Sequence, residues 1–257
     1  MVVPFFKYQG TGNDFIIIDN RQSIFDPANY DAIKNLCDRR FGIGADGLML
    51  VENEPGYDFK MLYYNADGKP GSMCGNGGRC IMQYAQHAGI INDKARFLAP
   101  DGLHHGMIDS YGDVHISMQD VSYIEEGKDY YYLNTGSPHY VMFVDDLYGF
   151  PVYEQGRAIR YSNRFKEEGT NVNFVQHIDG MLHVRTYERG VEDETYSCGT
   201  GVTAVAIVAS LNGIQSPVTI QTKGGRLKVR YSKTQTAWHD VYLIGPAVKV
   251  FEGIVTL

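Results

Sequence analysis

The segment Val202-Thr-Ala-Val-Ala-Ile-Val-Ala-Ser-Leu211 reads as a helix that is apolar on every side. Such a helix cannot lie on a surface and has to run through a core. It opens directly after Ser197-Cys198-Gly199-Thr200-Gly201. A second helix start of the same kind stands in the first half of the chain, Met73-Cys74-Gly75-Asn76-Gly77-Gly78-Arg79. Each half therefore presents strands, a polar turn, Cys-Gly-x-Gly and a helix, with Asn65 and Glu188 at nearly equal distances ahead of their cysteines. The near-repeat predicts an internal duplication whose two motifs meet across a pseudo-twofold axis.

Strand signals outnumber helix signals. Alternating or fully apolar runs bounded by Gly, Asp or Asn occur at Phe15–Asp19, Leu48–Glu52, Phe59–Asn65, Val114–Gln119, His139–Val144, Met181–Glu188, Val218–Thr222, Arg226–Tyr231 and Val241–Ile244. They predict mainly antiparallel sheet rather than repeated strand–helix crossovers. Four helices are expected, over Ala28–Arg39, Pro151–Arg160, Asn76–His87 and Gly201–Leu211. No low-complexity linker divides the chain, so two domains would share a close interface.

Composition narrows the function classes. With 23 Lys+Arg against 30 Asp+Glu the net charge is -7, and no basic run suggests a nucleic-acid partner. The N-terminus lacks the cationic and apolar regions of an export signal, and no apolar run reaches membrane-spanning length. Four cysteines in 257 residues are not a disulfide framework, so reduced thiols in a cytoplasmic protein are expected. No Cys-x2-Cys pair marks a zinc site.

The first turn of a helix leaves backbone N–H groups unpaired and carries partial positive charge, and glycines let a ligand approach them. A carboxylate is the natural guest. Two such starts at one carboxylate would stabilise the charge that grows when its α-carbon loses a proton. The same field acts on the thiols. An ordinary thiol is only a few per cent ionised at neutral pH, and making it half-ionised takes about 2 kcal/mol, the upper end of what a helix start supplies. Repulsion opposes a second ionisation beside the first, so the pair is expected to rest as one thiolate and one thiol, a base and an acid whose roles reverse. Cys37, on an apolar helix face, and Cys80, inside a helix, read as core residues.

These motifs resemble the diaminopimelate epimerases. The resemblance rests on Gly10-Thr-Gly-Asn-Asp-Phe15, Phe41-Gly-Ile-Gly-Ala-Asp-Gly47, Tyr64-Asn-Ala-Asp-Gly68, Cys74-Gly-Asn-Gly-Gly-Arg-Cys80, Thr170-Asn-Val-Asn-Phe174, Tyr187-Glu-Arg-Gly190 and Cys198-Gly-Thr-Gly201, in that order. It implies an α+β fold of two pseudo-symmetric halves, each a mostly antiparallel barrel-like sheet around a central helix. The halves are residues 1–120 with 246–257, and 121–245. A final strand near Ala247–Phe251 returns to the first half, and the active site lies at the interface. It implies that LL- and meso-diaminopimelate are interconverted in lysine and cell-wall precursor biosynthesis, with no cofactor or metal. Cys74 and Cys198 are then the acid and base. The N–H groups of Gly75, Asn76, Gly199 and Thr200 receive the α-carboxylate, and Asn13, Asn65, Asn171, Glu188 and Arg189 contact amino and carboxylate groups. Arg can grip a carboxylate bidentately, Glu can pair an ammonium, and Asn can serve either.

Two positions depart from the family pattern: Ser137 where many members carry Asn, and Gly47 where some carry Gln. Ser137 loses reach toward the distal end of the substrate, a role His139 could take over. On the residues alone, Asn65-Ala-Asp-Gly68 is a β-turn and Glu188–Arg189 a solvated pair. Three other readings stay open: a proline- or hydroxyproline-racemase-type enzyme with the same paired thiols, a non-catalytic small-anion-binding module, and a cysteine redox sensor. Self-association as a homodimer is left open as well.

Overall fold

In the computed structural model, residues 2–257 are described, and they form two compact units. One comprises the residues up to Ile116 together with Gly245–Leu257; the other is Ser117–Ile244.

The first unit runs β1 (Val2–Gly10), β2 (Asn13–Asp19), α1 (Tyr30–Cys37), β3 (Gly47–Glu52), β4 (Phe59–Asn65), α2 (Gly75–His87), β5 (Lys94–Ala99), β6 (Gly102–Ile108) and β7 (Val114–Ser117), and the C-terminal strand Val248–Thr256 joins it. Strand β1 pairs antiparallel with both β2 and the C-terminal strand. Beyond β2 the order is β3, β4, β5, β6, β7, with β2–β3 and β4–β5 parallel. Helix α2 touches β1, β2, β3, β6 and the C-terminal strand, so the sheet curls around it. Gly77 and Gly78 lie close to their neighbours, and a Cβ at either would stand 3.3 Å from a methionine sulfur.

The second unit runs β8 (Ile124–Glu126), β9 (Tyr131–Asn134), β10 (Pro138–Phe143), α3 (Val152–Arg160), β11 (Asn171–Ile178), β12 (Met181–Glu188), β13 (Asp193–Thr195), α4 (Gly199–Ala209), a 3-10 turn Ser210–Asn212, β14 (Val218–Thr222), β15 (Gly225–Lys233) and β16 (Trp238–Gly245). Here β10–β11 and β12–β14 are parallel and the other pairs antiparallel. Helix α4 touches β9, β10, β11, β12, β14 and β15. Its Val202, Val205, Ile207 and Val208 are buried to within 1 % exposure, each worth roughly 2 kcal/mol.

The antiparallel majority stands, but the expectation against crossovers does not. Each of the four helices lies in the connection between two parallel strands, the link such a pair requires. Helix ends shift for local reasons. The first helix starts at Tyr30 because the Asn29 side chain accepts from the Ala32 N–H, and it stops when Asp38 turns extended. The two motif helices begin one and two residues early, at Gly75 and Gly199, each directly after its cysteine. Gly156, inside α3, is a packing residue: a Cβ there would lie 2.4 Å from the Tyr187 Cβ. Strands β1, β5, β6, β8, β9, β11 and β13 lacked a clear apolar signal. No helix among the described residues is long and apolar enough to cross a membrane.

Candidate active site

In the first unit a two-residue hairpin joins β1 to β2, with Thr11 at φ 51° and Gly12 at φ 85°. A β-branched residue is strained in that region. Thr11 is 3 % exposed, and its hydroxyl accepts from Nη2 of Arg79 at 3.1 Å. The hairpin sets Asn13 at the start of β2, where its Oδ1 stands 3.5 Å from the Cys74 sulfur and 3.4 Å from Nδ2 of Asn76. The Asn13 amide is oriented from behind, because its Nδ2 donates to Asp46 Oδ2 at 2.6 Å. The oxygen must then face Cys74, and the contact describes Cys74 as an S–H donor.

Charges back this half-site. Arg39 bridges Asp14 and Asp46 at 2.6 Å each, and the buried Lys7 reaches Asp14 at 2.9 Å. Burial alone would raise the Asp14 carboxyl, but hydrogen bonds from Arg39 and Lys7 hold it well below the usual carboxylate range. Arg79, fully buried in the second turn of α2, donates to Gly75 O, Asn76 Oδ1, Thr11 Oγ1 and Pro246 O. Four neutral acceptors thus surround a buried cation close to the helix start.

In the second unit a chain of hydroxyls, amides and an imidazole leads to Cys198. Its sulfur lies 3.4 Å from Oγ1 of Thr200, which is 3.1 Å from Oγ of Ser137. Ser137 Oγ is also 3.0 Å from Nε2 of His139 and 3.2 Å from Nδ2 of Asn171. His139 is fully buried, and burial, assisted by the Arg189 charge, pushes its pKa down to about 3, so the ring is neutral at physiological pH. Nδ2 of Asn173 faces His139 Nδ1 at 3.1 Å. Gly201 is what lets α4 come this close: a Cβ there would stand 2.5 Å from Asn173 Oδ1.

Both cysteines are N-caps with extended backbone, and neither side chain closes onto the first turn of its helix. A cap residue with a hydroxyl or carboxylate would occupy those N–H groups. The first-turn donors at Gly75, Asn76, Gly199 and Thr200 are therefore spared side-chain capping by the cysteines, which suits an outside anion. Cys37 and Cys80 are buried, and burial pushes both thiols up, Cys37 to about 12. Inert core thiols are the result.

The other sequence candidates divide. Asn171 joins the Cys198 cluster, donating to Ser137 and Pro138 O and accepting the Arg189 backbone N–H at 2.9 Å. Arg189 is exposed, and its guanidinium donates to Glu168 O; Glu188 accepts from Thr195 Oγ1 at 2.9 Å. Asn65 closes the Asn65–Gly68 turn, with Gly68 at φ 87°, and its exposed side chain bonds neither Asn13 nor Asn76. A Cβ at Gly47 would meet Tyr64 O at 2.7 Å and the Tyr63 hydroxyl at 2.9 Å, so this backbone has no room for a longer residue there. Sequence reasoning passed over Asp46, Arg79 and Asn173. The last carries a readable signal, since Asn171 and Asn173 alternate on one face of β11.

Comparison with known proteins places this chain in a family. The model of the family described as diaminopimelate epimerase matches residues 5–124 and again residues 131–250, one match for each half. Diaminopimelate epimerase of Flavobacterium psychrophilum is 50% identical over 250 residues, covering 96% of this chain and 98% of that protein. The enzyme of Aquifex aeolicus is 40% identical over 273 residues, covering 98% and 97%. Among solved structures, a phenazine biosynthesis protein of the PhzF family from Bacillus anthracis aligns over 100% of both chains with TM-score 0.78 at 14% identity. A hydroxyproline epimerase from Agrobacterium vitis aligns over 100% of this chain and 93% of its own, with TM-score 0.68 at 11% identity. Those two likenesses concern the fold alone. The sequence relatives, the doubled family match and the ordered motifs agree: the chain belongs to the diaminopimelate epimerase family.

Proposed function

We propose that this protein interconverts LL- and meso-diaminopimelate by proton transfer at one α-carbon, with Cys74 and Cys198 as the paired acid and base and no organic cofactor or metal. The observation that carries the reading is the twice-built helix start, a cysteine at the cap whose side chain leaves the first-turn N–H groups to a guest. One sulfur, as thiolate, takes the α-proton from one face. The other, as thiol, delivers its proton to the opposite face and becomes the thiolate. Charge pushed onto the α-carboxylate during the transfer falls on the N–H groups of Gly75, Asn76, Gly199 and Thr200. Asn13, Asn65, Asn171, Glu188 and Arg189 hold the amino and carboxylate groups of a substrate that carries two of each.

The reading places the enzyme in lysine and cell-wall precursor synthesis in the cytoplasm. Self-association belongs to it too, favoured by the exposed Val250, Phe251 and Ile254 on the C-terminal strand, which pairs with β1.

The test is proton NMR of LL-diaminopimelate with reduced protein in D₂O, with stereochemical analysis of the product. Deuterium at one α-carbon together with meso product is expected. Folded protein with free thiols that yields neither product nor exchange would sink the assignment. Turnover of proline or hydroxyproline instead would favour the racemase-type reading.

A further inference from the structure

The amide and ring orientations of Asn173, His139 and Asn171 fix the direction of the hydrogen bonds that run through Ser137 to Thr200, beside Cys198. Asn173 Nδ2 donates to Tyr140 O at 3.0 Å while its Oδ1 accepts from Thr186 Oγ1 at 3.0 Å, so the amide cannot be flipped. Its second N–H therefore points at His139 Nδ1, which must accept. A neutral imidazole that accepts at Nδ1 carries its proton on Nε2, and that proton goes to Ser137 Oγ. Asn171 is fixed in the same way: Nδ2 donates to Pro138 O, and Oδ1 accepts the Arg189 N–H, which leaves the second lone pair of Oδ1 for the substrate's ammonium. Its remaining N–H also goes to Ser137 Oγ. With both lone pairs of Ser137 Oγ filled, its hydrogen is left for Thr200 Oγ1. The Thr200 hydrogen then meets the next neighbour in line, the sulfur of Cys198.

Resting on the two-thiol reading above, we infer that Asn173, His139, Asn171 and Ser137 are positioning residues that aim the Thr200 hydroxyl at Cys198 and so stabilise its thiolate. In this account Ser137 is committed to the relay and does not reach the distal end of the substrate. The relay is polarised throughout toward sulfur, and a hydrogen bond to a charged acceptor is worth more than one between neutral groups.

The experiment is site-resolved alkylation of the intact protein by iodoacetamide between pH 6 and 9, with peptide mapping at Cys74 and Cys198. It compares wild type with Thr200→Val, Thr200→Ser and Ser137→Ala, and LL-to-meso turnover is followed in parallel. Thr200→Val should slow alkylation of Cys198 about tenfold at neutral pH, the size of one charge-assisted hydrogen bond. Thr200→Ser should restore the rate, and Ser137→Ala should fall between. Cys74, alkylated at its wild-type rate in the same molecules, reports that they are folded. An unchanged Cys198 rate in both Thr200→Val and Ser137→Ala would overturn the relay. So would a Ser137→Ala effect confined to KM, which would make Ser137 a substrate contact. The outcomes separate the two claims. Wild type without turnover but with the Cys198 effect defeats the epimerase reading alone, and turnover without the effect defeats the relay alone.

Discussion

The two cysteine half-sites share a backbone device and differ in almost everything around it. Both cysteines stand at the N-cap of a buried helix, and neither cysteine side chain closes onto the first turn. Around Cys74 the supporting groups are ions: Asp46 behind Asn13, Arg39 and Lys7 on Asp14, and Arg79 beneath the helix start. Around Cys198 the hydrogen-bonded chain is of neutral groups: hydroxyls, two amides and an uncharged imidazole. Asn13 offers Cys74 an acceptor and Thr200 offers Cys198 a donor, so the contacts of opposite sign suit an acid on one side and a base on the other. A duplicated motif thus keeps the helix field in common and leaves each thiol to be tuned by its own surroundings.

The comparison fails outright unless both thiols are needed. Cys74→Ala and Cys198→Ala should each lower LL-to-meso turnover by about 10³-fold or more, the scale of losing a positioned acid or base. Cys37→Ala, in the core of the first unit, should keep its turnover. Steady-state assays at saturating substrate read all three, and appreciable epimerisation by either active-site variant would demand a different acid or base.

The glycines at equivalent places in the two motifs give the next contrast. Alanine at Gly201 would force its Cβ to 2.5 Å from Asn173 Oδ1, an atom held by Thr186. Alanine at Gly77 would meet the Met49 sulfur at 3.3 Å, the end of a flexible chain. Overpacking against a fixed amide should cost about 2 kcal/mol in Gly201→Ala. Helix propensity offsets the milder crowding in Gly77→Ala, which should unfold within about 0.5 kcal/mol of wild type. Urea midpoints of the two variants measure the difference, and equal losses would remove the distinction.

Acid should find the neutral half first. His139 binds a proton more weakly folded than unfolded, so its contribution to stability is complete above the unfolded value near 6.5 and is lost as pH falls toward about 3. The slope approaches about 1.4 kcal/mol per pH unit for one proton. Asp14 works in the same direction but only below the ordinary carboxylate range, so the window from pH 6.5 to 5 belongs to His139. Denaturation curves at pH 7, 6 and 5 should show that slope in wild type and its loss in His139→Asn. Matching slopes would mean that the ring is not the group that titrates.

What the sequence made legible follows the same division. The helix starts were readable because glycine and cysteine at a cap have few other uses, and α4 because its apolar character leaves only a core. Strand β1 was not: Pro4 interrupts its pattern, and Lys7, buried on Asp14, occupies a place where an apolar residue would have marked the face. Strand β11 hid behind Asn171 and Asn173, polar residues turned inward to orient other polar groups. Asp46 is the hardest to read, because it acts on Asn13, a side chain that folding brings near and that its own stretch of sequence does not record. Arg79 serves the start of its own helix, and Asn173 pairs with Asn171 on one strand face, so both become legible once α2 and β11 are known.

The finest test of the comparison concerns Asp46, which touches Cys74 only through Asn13. Removing its carboxylate takes away the 2.6 Å bond that holds the Asn13 oxygen toward sulfur and leaves only the longer 3.4 Å contact from Asn76 Nδ2 to keep that orientation. A freed amide can present Nδ2 instead, turning the acceptor at Cys74 into a donor and making the half-site resemble its counterpart. The orientation energy at stake is that of one charge-assisted hydrogen bond less the cost of solvating the amide, about 1 kcal/mol. Asp46→Ala should therefore lower kcat about fivefold and raise the rate at which Cys74 is alkylated at neutral pH, while Cys198 keeps its own rate. If kcat falls but Cys74 becomes no more reactive, Asp46 braces the loop and does not set the polarity at the sulfur. If both change together, opposite wiring of the two thiols is part of how the pair divides acid from base.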